Sequence, residues 1–299
     1  MKKFFGMAGM ILLAASCSNE RVDMVDNGRM ETTVAPVRVH VDDFAVSMAA
    51  FSGGVTRSAS SLANYNDINA VTLAFYSGDT EVYKTTQSKD DNTTYDTFGE
   101  FSLSLPIGSY TMVVLAYYTN ENSVMTLTSP TEASFTGLRA RETFSAVQTV
   151  NITNADAVDI GATLSRINAM LVVASSDGKT AHVKNVRMTL SGGSMHFNPT
   201  SGLATDNAGY VNTVGSSVAV GDASTSATNL FLYTDEQTLD VTIETLDADG
   251  NTLFSTTVED VPFKRNRITI LTGAMYTNPG VGGAFLVSTD WLSNYNMSF

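Results

Sequence analysis

A single cysteine in 299 residues excludes an intramolecular disulfide, so the fold must be held by packing and hydrogen bonds. Basic residues are also scarce, with 17 Lys and Arg against 30 Asp and Glu and a formal net charge of −13. A surface of that sign repels phosphate backbones, which excludes nucleic acid as a partner. His40, His182 and His196 are far apart and follow no metal-ligand spacing. No apolar run after residue 13 approaches the length of a membrane-spanning helix, and the longest, residues 112–118, is strand-sized. A Gly-x-Ser-x-Gly elbow is missing. We therefore assign no catalytic, metal or cofactor residue, expect no cofactor, and read the chain as a non-enzyme.

What is present begins with the first seventeen residues. Lys2 and Lys3 open a positive start, residues 4–13 form an apolar core, and Ala14, Ala15 and Ser16 precede Cys17. At about 1.5 Å per residue the apolar core reaches roughly half of the ~30 Å hydrocarbon layer, so residues 1–16 read as a cleaved lipoprotein signal. Acylation of Cys17 then tethers the chain to the outer membrane without protein contacts. Loss of Lys2 and Lys3 leaves 15 basic against 30 acidic residues. Residues 17–35 are polar, show little periodicity and read as a tether.

From there the dominant signal is alternation, the period of half-buried strands. Val37, Val39 and Val41 alternate with Arg38, His40 and Asp42; Val71, Leu73 and Phe75 with Thr72, Ala74 and Tyr76; Val186, Met188 and Leu190 with Asn185, Arg187 and Thr189; Leu239, Val241 and Ile243 with Asp240, Thr242 and Glu244. Turn residues around Gly78, Gly178 and Gly250 predict three hairpins. Helical periodicity is confined to a short turn at 140–146, and residues 198–228, rich in small polar residues, read as a long loop with one weak hairpin. The class is all-β, too long for one seven-strand sandwich, and we expect two: residues 36–158 and 159–299.

Several segments in this order resemble the fimbrillin family, the type V pilins of anaerobic Gram-negative bacteria. They are the lipoprotein start; Thr56, Arg57 and Ser58; Leu105, Pro106, Ile107, Gly108, Ser109 and Tyr110; Leu164, Ser165 and Arg166; Val261, Pro262, Phe263, Lys264, Arg265, Asn266 and Arg267 running into Ile268; and Asp290 with Trp291. The resemblance implies two transthyretin-like β-sandwich domains and a pilus subunit, whether stalk, tip or anchor. It implies assembly with other subunits by strand addition at the cell surface, in support of adhesion to host or bacterial ligands. In that family an arginine-specific protease removes the first strand.

Arg57 lies in a small-residue segment of the kind proteases cut, with Arg29 as the competing site. Cutting after Arg57 would remove the strand with Val37, Val39 and Val41 and leave an apolar groove. In the tail, Trp291, Tyr295, Met297 and Phe299 share one face; this segment either closes its own sandwich or fills a neighbour's groove. A rival reading makes Trp291, Tyr110, Tyr117 and Tyr118 a stacking platform for glycans. Asp247, Asp249 and Asn251 suggest calcium, but Thr252 and Val258 occupy the sixth and twelfth positions, where an EF-hand needs Gly and Glu. We read a hairpin turn there, and solvated loops or strand ends at Asp42, Asp43, Asp90 and Asp91.

Overall fold

A computed structural model of the chain describes residues 33–44, 62, 67–91, 93, 95–277 and 285–288, which form nineteen β-strands. The first nine are β1 Val34–Phe44, β2 Ala70–Ser77, β3 Thr80–Ser88, β4 Glu100–Pro106, β5 Gly108–Tyr117, β6 Ser123–Ser129, β7 Glu132–Gly137, β8 Thr143–Ile152 and β9 Val158–Arg166. The next five are β10 Ala169–Ser175, β11 Asn185–Leu190, β12 His196–Asn198, β13 Leu203–Ala204 and β14 Tyr210–Gly215. The last are β15 Thr225–Leu230, β16 Glu236–Leu246, β17 Thr252–Lys264, β18 Ile268–Gly273 and β19 Leu286–Ser288.

The first sandwich is one ribbon in the order β3-β2-β5-β8-β9-β1-β4. Pairing between β8 and β9 is confined to Phe144 with Arg166 and Ser145 with Ser165, so the ribbon folds into two layers there. Val71, Leu73, Phe75, Met112 and Val114 from one layer meet Val37, Val39, Phe101, Leu105 and Ile160 from the other in a continuous core. In the second sandwich, β15-β10-β18-β19 faces β14-β11-β16-β17. Leu171, Val173 and Leu271 pack there against Val186, Met188, Leu190, Val241 and Ile243.

A fourth sheet, β13-β12-β7-β6, joins the sandwiches, because β7 from the first pairs with β12 from the second. It covers the outer face of β2 and β5, so Ala70, Ala74, Tyr76, Val113, Leu115 and Tyr117 form another core with Phe135, Phe197 and Phe231. Phe197 and Phe231 stack with centroids 4.1 Å apart. This cover explains why β2 is buried on both faces, where its alternating sequence suggests one wet side.

The hairpins at Gly78 (φ 59°) and Gly250 (φ 84°) form as expected, joining β2 to β3 and β16 to β17. Other expectations are corrected. After β10 the chain crosses at Gly178 to the opposite layer, where β11 pairs with β14 and β16, so no hairpin forms. Residues 198–228 hold the short β12–β13 hairpin, as expected, but also β14 and the start of β15 in place of a loop, and residues 143–146 are strand rather than helical turn. The handover between sandwiches falls at Ile167 and Asn168, not at 158, because β9 pairs with β1 and its Ile160, Ala162 and Leu164 sit in the first core.

Candidate strand-exchange site

β1 lies between β4, antiparallel, and β9, parallel. Val37 sits between Leu103 and Val158, and Val39 between Phe101 and Ile160. Ala35, Val37 and Val39 are buried, and half-buried Val41 packs against the same core. The alternate residues are polar and face acidic neighbours: Arg38 Nη2 donates to Glu100 Oε2 at 2.8 Å, and His40 Nδ1 lies 3.0 Å from Asp159 Oδ1. Of the sequence-derived site residues, the structure thus places Val37, Val39 and Val41 on one inward row. Cys17, Arg57, Trp291, Tyr295, Met297 and Phe299 lie outside the described residues.

The segment between β1 and β2 returns to the core that it leaves. Leu62 is buried there, and a Cβ built on Gly99 (φ 91°) would come within 2.7 Å of its Cδ2. Val41 N–H donates to Gly99 O at 3.1 Å, fixing the end of β1 against the same glycine. Residues 45–61, which contain Arg57, are therefore the only covalent link from β1 to the body on that side.

Two sequence marks have a local cause. The Tyr110 hydroxyl donates to Pro106 O at 2.8 Å, and a Cβ on Gly108 would sit 3.0 Å from the Tyr110 hydroxyl oxygen, so the tyrosine closes the turn tightly over the glycine. Arg166 Nε donates to Glu142 at 2.6 Å and its Nη1 to Asn266 Oδ1 at 3.2 Å. Asn266, at φ 58°, supplies the left-handed residue this contact requires and donates its N–H to Asn168 O at 2.9 Å.

At the far end, β19 pairs antiparallel with β18. Phe285 packs on Gly273, and Val287, paired with Leu271, is 42% exposed. The turn leading there is held by Asp177, which accepts from Met275 N (2.8 Å), Tyr276 N (2.9 Å), Thr277 N (2.7 Å) and the Thr277 hydroxyl (2.8 Å). Burial pushes the Asp177 carboxyl up, but these four donors outweigh it and hold its pKa below the ordinary value. Sequence reading took Asp177 for a hairpin residue; nothing in its local pattern signals a partner a hundred positions away.

Tyr110 and Tyr117 are buried, and half-buried Tyr118 lies under the Arg141 guanidinium at 5.0 Å. Asp247 accepts from Asp249 N and Asn251 N at 2.9 and 2.8 Å, an Asx turn within the hairpin. Among the described residues no group of three or more His, Cys, Asp and Glu is placed to hold a metal ion. A cleft of ≈ 470 Å³ beside β17 is lined by Glu236, Lys264, Arg267 and Thr269, and the Thr269 hydroxyl already donates to Pro262 O at 2.8 Å.

These features define a tandem β-sandwich protein whose first strand is seated between two partners. The chain belongs to a family of unknown function, DUF6562, whose model matches residues 36–291. Its fold is similar to that of a candidate adhesin from Bacteroides ovatus (TM-score 0.52, 11% identity, 90% of this chain and 99% of that one). It is also similar to the fimbrial anchor protein Mfa2 from Porphyromonas gingivalis (TM-score 0.50, 11% identity, 85% and 96%). Among curated proteins none matches the chain.

Proposed function

We propose that the chain is a stalk, tip or anchor subunit of a cell-surface fimbria, exported as an outer-membrane lipoprotein acylated at Cys17 and assembled by β-strand exchange. The seat of β1 carries this reading. A cut after Arg57 would leave β1 held by pairing and packing alone, and its departure would open the facing edges of β4 and β9 over Phe101, Leu105 and Ile160. An incoming strand would recover the ladder hydrogen bonds, and each large apolar side chain it buried would contribute about 1.5 to 3 kcal/mol. Trp291, Tyr295, Met297 and Phe299 are the donor residues of this scheme, in the alternative to closing their own sandwich. The shared fold with a fimbrial anchor protein and a candidate adhesin supports the reading and a role in adhesion. Glycan binding as a non-catalytic module loses support, since Tyr110 and Tyr117 are committed to the core.

N-terminal sequencing of surface-assembled protein tests the proposal. Chains beginning at Ser58, and loss of polymer in Arg57→Ala, are expected. Assembled chains that all begin at Cys17, with polymerisation unaffected by Arg57→Ala, would overturn the maturation route. For the anchor, Cys17→Ala should abolish incorporation of a clickable fatty acid and release the protein from membranes.

A further inference from the structure

The two layers of the second sandwich show opposite chemistry to the outside. On β14-β11-β16-β17 the outward rows are Val211, Thr189, Thr242 and Thr257, then Thr213, Arg187, Glu244 and Ser255, with Arg187 and Glu244 joined by two hydrogen bonds of 2.6 and 2.8 Å. On β15-β10-β18-β19 the inward residues are Leu171, Val173 and Leu271, which places Met170, Val172, Ala174, Ile268 and Ile270 outside. Asn229, Ala227, Thr225, Thr272, Leu286 and Ser288 complete that face, so no charge stands on it in a chain of net charge −13. Val172 and Ala227, at its centre, are only 4% and 5% exposed, although they belong to none of the three cores. A contiguous uncharged face with an apolar centre marks a docking surface.

We propose that residues 289–299 of the same chain dock on this outer face of their own monomer. Three observations single out this occupant. β19 brings the chain to the edge of this sheet with Leu286 on the outer face and 74% exposed, leaving apolar surface where the tail departs. The tail is apolar at Trp291, Tyr295, Met297 and Phe299 and carries one charge, Asp290, matching an uncharged face. Its reach is ample: eleven extended residues span about 36 Å, whereas four strands about 4.8 Å apart make a sheet roughly 15 Å wide. The proposal is independent of the fimbrial reading, since it concerns the monomer.

Trp291 is the only tryptophan, so intrinsic fluorescence reads the tail directly. In dilute full-length protein we expect blue-shifted emission and acrylamide quenching several-fold weaker than for N-acetyltryptophanamide, both independent of concentration. Met170→Lys with Ile270→Lys should shift the emission red and restore quenching, whereas Val211→Lys on the opposite layer should change neither. As a variant that keeps the face intact, a chain ending at Ser288 should bind the apolar dye ANS several-fold more strongly than full-length protein. Solvent-exposed Trp291 in the monomer, or protection indifferent to the two lysines in protein with native circular dichroism, would overturn the proposal. Protection that appears only as concentration rises would assign the face to a second copy and overturn it as well. An unchanged ANS signal on truncation counts against it even if the lysine variant fails to fold.

Discussion

β1 and β10 occupy the same place in their respective sandwiches. Each opens its sandwich, pairs antiparallel on one side, with β4 or β15, and parallel on the other, with β9 or β18. Both turn small and medium apolar residues inward: Ala35, Val37 and Val39 in one, Ala169, Leu171 and Val173 in the other. They differ outside and at their ends. β1 shows Arg38 and His40 to water and leads into residues 45–61, whereas β10 shows Met170, Val172 and Ala174 and follows β9 after two residues tied to the body by Asn168 and Asn266. Under the proposed strand exchange, the β1 seat would be the one whose strand leaves and is replaced, and the β10 seat the one whose strand stays.

The strongest test charges both seats. Val39→Asp and Leu171→Asp each bury an unpaired carboxylate in a closed core, and each should cost more than about 3 kcal/mol. The comparison sharpens after cleavage within residues 45–61. In cleaved wild-type protein β1 should co-purify with the body, while in cleaved Val39→Asp it should be lost and leave a folded remainder; size-exclusion chromatography with mass spectrometry distinguishes these. A remainder that unfolds with β1 would make β1 as permanent as β10.

Next in size is the joint between the sandwiches. Phe197→Ala empties the centre of the Phe135, Phe197 and Phe231 cluster and should lower unfolding stability by about 3 to 5 kcal/mol in denaturant titrations. Loss of the fourth sheet should also split one cooperative transition into two. A single transition at a lower midpoint would mean that the link from β9 to β10 couples the sandwiches by itself.

What was legible in the sequence follows the same divide between local and distant causes. β1, β11 and β16 alternate because one face meets the core and the other meets water, and the hairpins at Gly78 and Gly250 are set by their own turn residues. The Gly178 turn offers the same local chemistry, but its next strand joins the other layer, and no neighbouring residue records that choice. β13 and β14 hide among small polar residues because their pairing with β12 and β11 supplies the order that composition does not. The fourth sheet pairs residues about sixty positions apart, His196 with Ser134 and Phe197 with Ala133, and the alternation of β2, with Thr72 on its second face, leaves no trace of that cover. For the candidate site, the inward row of β1 is readable, whereas a boundary at 158 separates β1 from β9, the parallel partner that the structure pairs with it.

A smaller effect concerns Asp177 and carries a pH signature. Its folded pKa lies below the ordinary 3.8, so its stabilisation is complete above that value and is lost as pH falls through the lower, folded value. Asp177→Asn should cost about 1 to 2 kcal/mol near neutral pH, after allowance for partial solvent exposure, and the deficit against wild type should shrink below pH 3.8. Thermal melts from neutral pH downwards measure it, and a deficit constant with pH would show that the carboxylate charge is not what holds the 275–277 turn.

The smallest expected change in stability has the clearest consequence for the comparison. Arg38 and Glu100 are 57% and 41% exposed, and an ion pair so well solvated contributes little to folding, because water screens it and two long side chains must be held still. Arg38→Ile with His40→Val should therefore leave the melting temperature nearly unchanged. The same pair of substitutions gives β1 the outward chemistry of β10, in a sandwich where no described segment ends beside it to cover the new face. Light scattering should then show association that grows with concentration, while Arg38→Lys with His40→Gln stays monomeric. If the apolar variant also stays monomeric, a bare apolar face is tolerated on this fold, and the uncharged surface around Val172 would no longer require an occupant.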